Sequence, residues 1–195
     1  MIGLMRIRHQ YLMRFLYLFL VLLLMRPSYA LAEKEFVIKS ASTQLNESVH
    51  FLNAVFEINL PEYISLAFDQ GFDLPIALQI EVFRQRSFWL DEEVVTIKQK
   101  YRLQYHSMLD SISLLNVNAG SQLHFSSLEE ALMHLTVLLN FPLLDNNALK
   151  DNEYYNARMN IGIDNAELPI PLKSSSLWKN DWSIVSEWYE WEIAR

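Results

Sequence analysis

Apolar and polar residues alternate with period two along much of this chain. Between Asp73 and Gln85, Leu74, Ile76, Leu78, Ile80 and Val82 hold the even positions. That pattern predicts a strand with one buried face. Glu93–Tyr105 carries its apolar residues at odd numbers, Val95, Ile97, Tyr101 and Leu103. A turn over Arg86–Glu92 would make it the partner strand. For both apolar sets to face one core, paired residue numbers must sum to an odd value, because a one-residue slip turns one set outward. The outer face then sets Gln79 and Glu81 near Lys98, Lys100 and Arg102, and opposite charges across strands support that register.

The same reading extends along the chain. Glu35–Ser40 is a predicted short strand, followed by a polar turn at Ser42–Glu47. Ser48–Asn59 alternates again, with Leu52, Ala54, Phe56 and Ile58 on one side. Pro61 opens a helix over Pro61–Gln70 that Gly71 stops, with Ile64, Ala67 and Phe68 as its buried stripe. Ser111–Asn118 and Ser121–Phe125 form a hairpin around Ala119-Gly120. A second helix is predicted over Leu128–Leu139. Ser126 and Ser127 stand at capping-box spacing from Glu129 and Glu130, and Asn140 and Pro142 end the helix. Leu143–Asn152 reads as an irregular polar loop and Tyr154–Asp164 as a strand. Leu168-Pro169-Ile170-Pro171-Leu172 is extended, because each residue before a proline is driven out of the helical region. Ser174–Ser176 is a hinge, and Ser183–Ile193 a final strand rich in aromatics. About seven or eight strands joined mostly by turns, with two short helices, give a mainly β (α+β) fold. That means an antiparallel β-sandwich or a curled sheet.

The N-terminus departs from this pattern. Phe15–Met25 holds eleven apolar residues without a charge, after Arg6, Arg8 and Arg14 and before Arg26. A basic region, a short apolar core and small residues at Ala30 and Ala32 make a secretory signal, with cleavage expected after Ala32. An uncleaved anchor needs about 20 apolar residues to cross hydrocarbon. The expected organisation is a signal peptide over residues 1–32 and a single β-rich domain over 33–195. The expected location is the periplasm or outside the cell. The alternative is attachment to the inner membrane through the leader, facing the periplasm.

Removing the leader sharpens the charge. Four of the 16 basic residues and none of the 23 acidic ones precede Glu33, so the remainder carries a net charge of −11. Such a surface repels phosphate backbones and anionic lipid, which argues against nucleic-acid binding and polybasic membrane docking. Contact with a membrane is expected only through an uncleaved leader. The chain has no cysteine, so it has neither disulfides nor thiol chemistry.

Candidate chemistry is sparse. His50, His106, His124 and His134 show no metal-ligand spacing, and no metal or cofactor is expected. His106, at a strand end near Asp110, is the best single catalytic candidate. There is no GxSxG elbow, SxxK pair or glycine-rich phosphate loop. Asp91, Glu92 and Glu93 are neighbours that point in different directions and so make a poor acid–base pair. Arg84, Arg86, Lys98, Lys100 and Arg102 form one local positive cluster. They read either as an outer sheet face paired with Glu81, Glu92 and Glu93, or as a patch for a partner or ligand. Trp89 beside Arg86 sharpens the second reading, since an exposed tryptophan with an arginine suits recognition. Trp188 and Trp191 have opposite parity on the last strand, so one faces in and one out.

Several segments together resemble a family of exported proteobacterial proteins classed as a domain of unknown function, some members of which are labelled proline-rich signal peptide proteins. They are Arg84-Gln85-Arg86 with Trp89, Leu103-Gln104-Tyr105-His106 and Phe125–Leu132. Leu168–Leu172 and Trp182–Trp191 complete the set. The resemblance implies an envelope protein with no assigned activity and, through neighbouring genes, an association with two-component sensor kinases. The leading expectation is a non-enzymatic binding or adaptor module for an envelope protein or an apolar ligand. Its rivals are a membrane-tethered accessory of a sensor kinase, a carrier of lipid or another hydrophobic ligand, and a hydrolase with dispersed residues.

Overall fold

The computed structural model describes residues 34–86, 88–168 and 184–193. The leader, Pro169–Leu172, the Ser174–Ser176 hinge, Trp178 and Trp182 lie outside the described residues. The first sheet comprises β1 (Phe36–Asn46), β2 (Val49–Ile58) and β7 (Val137–Asp145), in the order β1-β2-β7. The second comprises β3 (Leu74–Arg84), β4 (Glu92–His106), β5 (Ser111–Asn116), β6 (Ser121–Phe125), β8 (Tyr155–Ile163) and β9 (Tyr189–Glu192). Its order is β6-β5-β4-β3-β8-β9, and every pairing in both sheets is antiparallel. Helix α1 (Glu62–Asp69) joins the first sheet to the second, and α2 (Leu128–Leu135) leads back from β6 to β7. The mainly β, sandwich-like fold read from the alternation is the observed one.

The core follows the predicted phases. The five even residues of β3, Leu74 to Val82, are buried together with Tyr155, Ala157, Met159, Ile161 and Ile163 of β8. Phe36, Ile38, Leu52, Ala54 and Phe56 of the first sheet join the same cluster. Each buried Leu or Ile contributes about 1.5–3 kcal/mol relative to exposure. Pairs run from Leu74↔Leu103 to Val82↔Val95, all with odd sums, and a bulge then shifts the register at Phe83. In α1, Pro61 precedes the first turn, Gly71 takes φ +91°, and Ile64, Ala67 and Phe68 are buried.

Three predicted boundaries are corrected. The polar run Ser42–Glu47 belongs mostly to β1, which continues to Asn46 and turns at Glu47, φ +54°. Strand pairing with Leu52, Phe51 and His50 satisfies its backbone there. The second helix stops at Leu135 with Thr136 as C-cap, and Val137–Asp145 is a strand rather than a helix end and a loop. Among the described residues of the last predicted strand, only Tyr189–Glu192 is regular; before it, Val185 makes an isolated bridge to Gly162.

Candidate functional site

A cleft of about 260 Å³ lies between the sheets. Its floor is a transverse stripe of the six-stranded sheet, because Ile161 pairs with Leu78 and Tyr101 pairs with Asn116. Leu114 extends the floor along β5. Phe56 of β2 forms the opposite wall, and Leu135 of α2 with Val137, Leu138 and Leu139 of β7 forms the lip. Those lip residues straddle the helix-to-strand junction. Among the described residues, Asn116, Ser121 and His134 are the polar lining residues and no lysine, arginine, aspartate or glutamate lines the cleft. Burial in these apolar surroundings pushes the Tyr101 phenol above its ordinary pKa.

The polar side is rigidly built. Gln99 is 6 % exposed, and its Nε2 donates to Asn116 Oδ1 at 2.6 Å. The same Oδ1 accepts the Ala119 N–H at 3.0 Å. Asn118 locks the turn to β4 by accepting the Lys100 N–H at 2.7 Å and donating to the Lys98 carbonyl at 3.1 Å. Gly120, at φ +68°, closes the turn in a conformation that side chains resist. His134 sits in the last turn of α2, its ring centroid 5.5 Å from that of Phe125.

The predicted basic cluster divides into two groups. Arg84 is in phase with the buried even residues of β3 and only 14 % exposed; it is ion-paired with Glu92 and Glu153. Arg86 shares Glu92, whose carboxyl is held below its ordinary range by Arg86 and Arg84. Lys98, Lys100 and Arg102 meet Asp164 and Glu167 beyond the end of β8, with Lys100 Nζ 2.5 Å from Glu167 Oε1 and Arg102 Nη2 3.0 Å from Oε2. Trp89 stands apart from both groups, highly exposed with Phe88 and Leu90 at the β3–β4 turn. Trp188 is partly exposed, and Arg158 lies over its ring at 4.7 Å. Trp191 packs against the core. Arg158 was not singled out from the sequence; its outward phase on β8, opposite Glu81, was the available signal.

The histidines are dispersed. His50 is fully buried, with Nε2 3.0 Å from Asn146 Oδ1. His106 Nε2 lies 2.9 Å from the Oγ of fully buried Ser113, and its ring centroid is 6.4 Å from that of His124. Among the described residues no three His, Asp or Glu side chains gather into a metal-binding group.

A family model described as a domain of unknown function, DUF4390, matches residues 33–192. No curated protein and no solved structure matches the chain.

Proposed function

We propose, for a chain that belongs to the DUF4390 family of domains of unknown function, a non-enzymatic binding module that holds a small apolar molecule between its sheets. The observation that carries this reading is the cleft of about 260 Å³, with apolar walls and a polar side made by Asn116, Ser121 and His134. An apolar cavity of about 150 Å³ already holds a benzene-sized guest, and ligand sites are typically concave, apolar and furnished with a few polar groups. Titration with the fluorescent apolar probe N-phenyl-1-naphthylamine tests it. Saturable one-site binding is expected, lost in Leu135→Trp, which fills the lip, while the variant keeps a cooperative melt. Absence of saturable binding to the native protein would refute it.

The proposed setting is the bacterial envelope. Support comes from the basic, apolar and small-residue order of the leader. The family match begins at residue 33, directly after that leader. N-terminal sequencing of the native protein recovered from a soluble periplasmic extract should begin at Glu33. A native chain that keeps Phe15–Met25 and sediments with membranes would instead make it a tethered protein.

A further inference from the structure

We infer that the cleft takes a neutral acyl ester, with the alkyl chain against the apolar walls and the carbonyl oxygen hydrogen-bonded to Asn116 Nδ2. The inference rests on the apolar-ligand reading above and adds the chemistry of the polar end.

The orientation of the Asn116 amide decides it. A backbone N–H can only donate, so the atom that meets the Ala119 N–H at 3.0 Å must be the amide oxygen. Gln99 Nε2 donates to the same oxygen at 2.6 Å. Both partners therefore engage Oδ1, and among the described residues no acceptor is assigned to the Nδ2 donors. Asn116 lines the cleft, so it offers hydrogen there, and a hydrogen-bond acceptor on the ligand answers it. Ser121, paired with Asn116 across the hairpin, adds a hydroxyl beside it.

Charge selects among acceptors. A carboxylate or phosphate would enter a site whose lining, among the described residues, has no lysine or arginine and offers only the His134 imidazole as a basic group, in a protein that is net negative. Desolvating an unpaired anion there is costly. A hydroxyl could accept and pass its own hydrogen to Ser121 Oγ, but it would bring a further donor to desolvate on entry. An ester carbonyl accepts and leaves no donor unsatisfied, so it fits best.

Calorimetric titration with methyl octanoate, octan-1-ol, octanoate at pH 8 and octane tests the assignment at constant chain length. Methyl octanoate should bind most tightly and octanoate most weakly. Asn116→Asp keeps an acceptor for Ala119 and Gln99 but removes the donor. It should lower the methyl octanoate affinity about tenfold, leave octane unchanged and favour octan-1-ol over the ester. Binding of all four compounds with equal affinity, or an unchanged ester affinity in Asn116→Asp, would overturn the carbonyl assignment while leaving the apolar cleft standing. Failure of all four to bind would overturn both. N-octanoylglycine amide, run in parallel, separates sources: tighter binding than the ester would assign the site to acylated peptides and overturn the ester.

Discussion

The N–H of Phe56 donates to the carbonyl of Thr136 at 2.7 Å. This bond extends the β2–β7 ladder, which pairs Val55 with Val137, onto the C-cap of α2. It sets Leu135 and Val137 on either side of the junction, both lining the cleft with Phe56. Leu135 is buried there, so its contribution is both packing and cleft shape. Leu135→Ala should cost about 2–4 kcal/mol, in the range of buried leucine truncations. It should also widen the lip, so longer alkyl chains gain affinity relative to shorter ones. Chemical denaturation gives the first quantity, and titration with a chain-length series gives the second. A variant as stable as the native protein would remove Leu135 from the core.

The misreading of this region has a physical cause. Leu128–Leu139 has helical periodicity throughout, and leucine suits helices and buried strands alike. What ends the helix is pairing with β2: Val137 opposes Val55 and Leu138 opposes Ala54, residues more than 80 positions away. Asn140 takes φ +52°, an αL geometry within the strand, where the register with β2 is irregular. None of this is local. By contrast β3 and β8 were legible because their alternation is unbroken, and α1 because proline and glycine mark its ends. The cleft was illegible for the same reason as β7, since its walls come from β2, β3, β4, β5, β6, β7, β8 and α2 together. The positive cluster was legible as residues. Its division was not, because the bulge at Phe83 and the acidic segment after β8 decide each cation's partner.

Gly162 marks where the C-terminal segment pairs antiparallel alongside β8. A Cβ added there would lie 2.3 Å from the Ile184 carbonyl oxygen and 2.6 Å from Val185 Cα. Both are backbone atoms, so the segment itself would have to move. Around it, Ile163 donates to the Ile184 carbonyl at 2.9 Å and Ser186 to the Ile161 carbonyl at 2.8 Å. Gly162→Ala should cost roughly 1–3 kcal/mol as overpacking. Amide exchange should rise first at Ile184–Ser186, with β3 and β4 still protected. Uniform loss of protection across the sheet would contradict this local account.

Arg158 connects Glu81 to two aromatic rings. Its Nε and Nη2 each lie 2.7 Å from Glu81 Oε2, and its guanidinium carbon is 5.6 Å from the Phe83 ring centroid and 4.7 Å from that of Trp188. Lysine keeps the charge but loses the planar fork and the stacking. Arg158→Lys should therefore destabilise by about 1 kcal/mol, and Trp188→Leu by a similar amount. Because both remove one contact, the double variant should cost less than the two singles combined. Strict additivity in denaturant melts would show that the stacking contributes nothing.

Acid should weaken the ion-pair group beyond β8 in a defined direction. Burial opposes ionisation of Asp164, but Lys98, the Ala166 N–H and Lys100 outweigh it and hold the carboxyl below its ordinary pKa. Hydrogen bonds from Lys100 and Arg102 lower Glu167 likewise. Both carboxylates bind protons less readily in the folded chain than in the unfolded one. Their stabilisation is complete above the unfolded carboxyl pKa, roughly 4, and is lost as pH falls through the lower folded values. Glu167→Gln should thus be less stable than the native protein at pH 7, by less than about 1 kcal/mol because the pairs are partly solvated. That deficit should begin to shrink below about pH 4 and reach zero only once pH falls below the lowered folded value, where the native glutamate is itself protonated. It should also diminish in high salt, which screens such pairs. Melting temperatures of both proteins measured across this pH range decide the matter, and a deficit that widens on acidification would reverse the assigned sign.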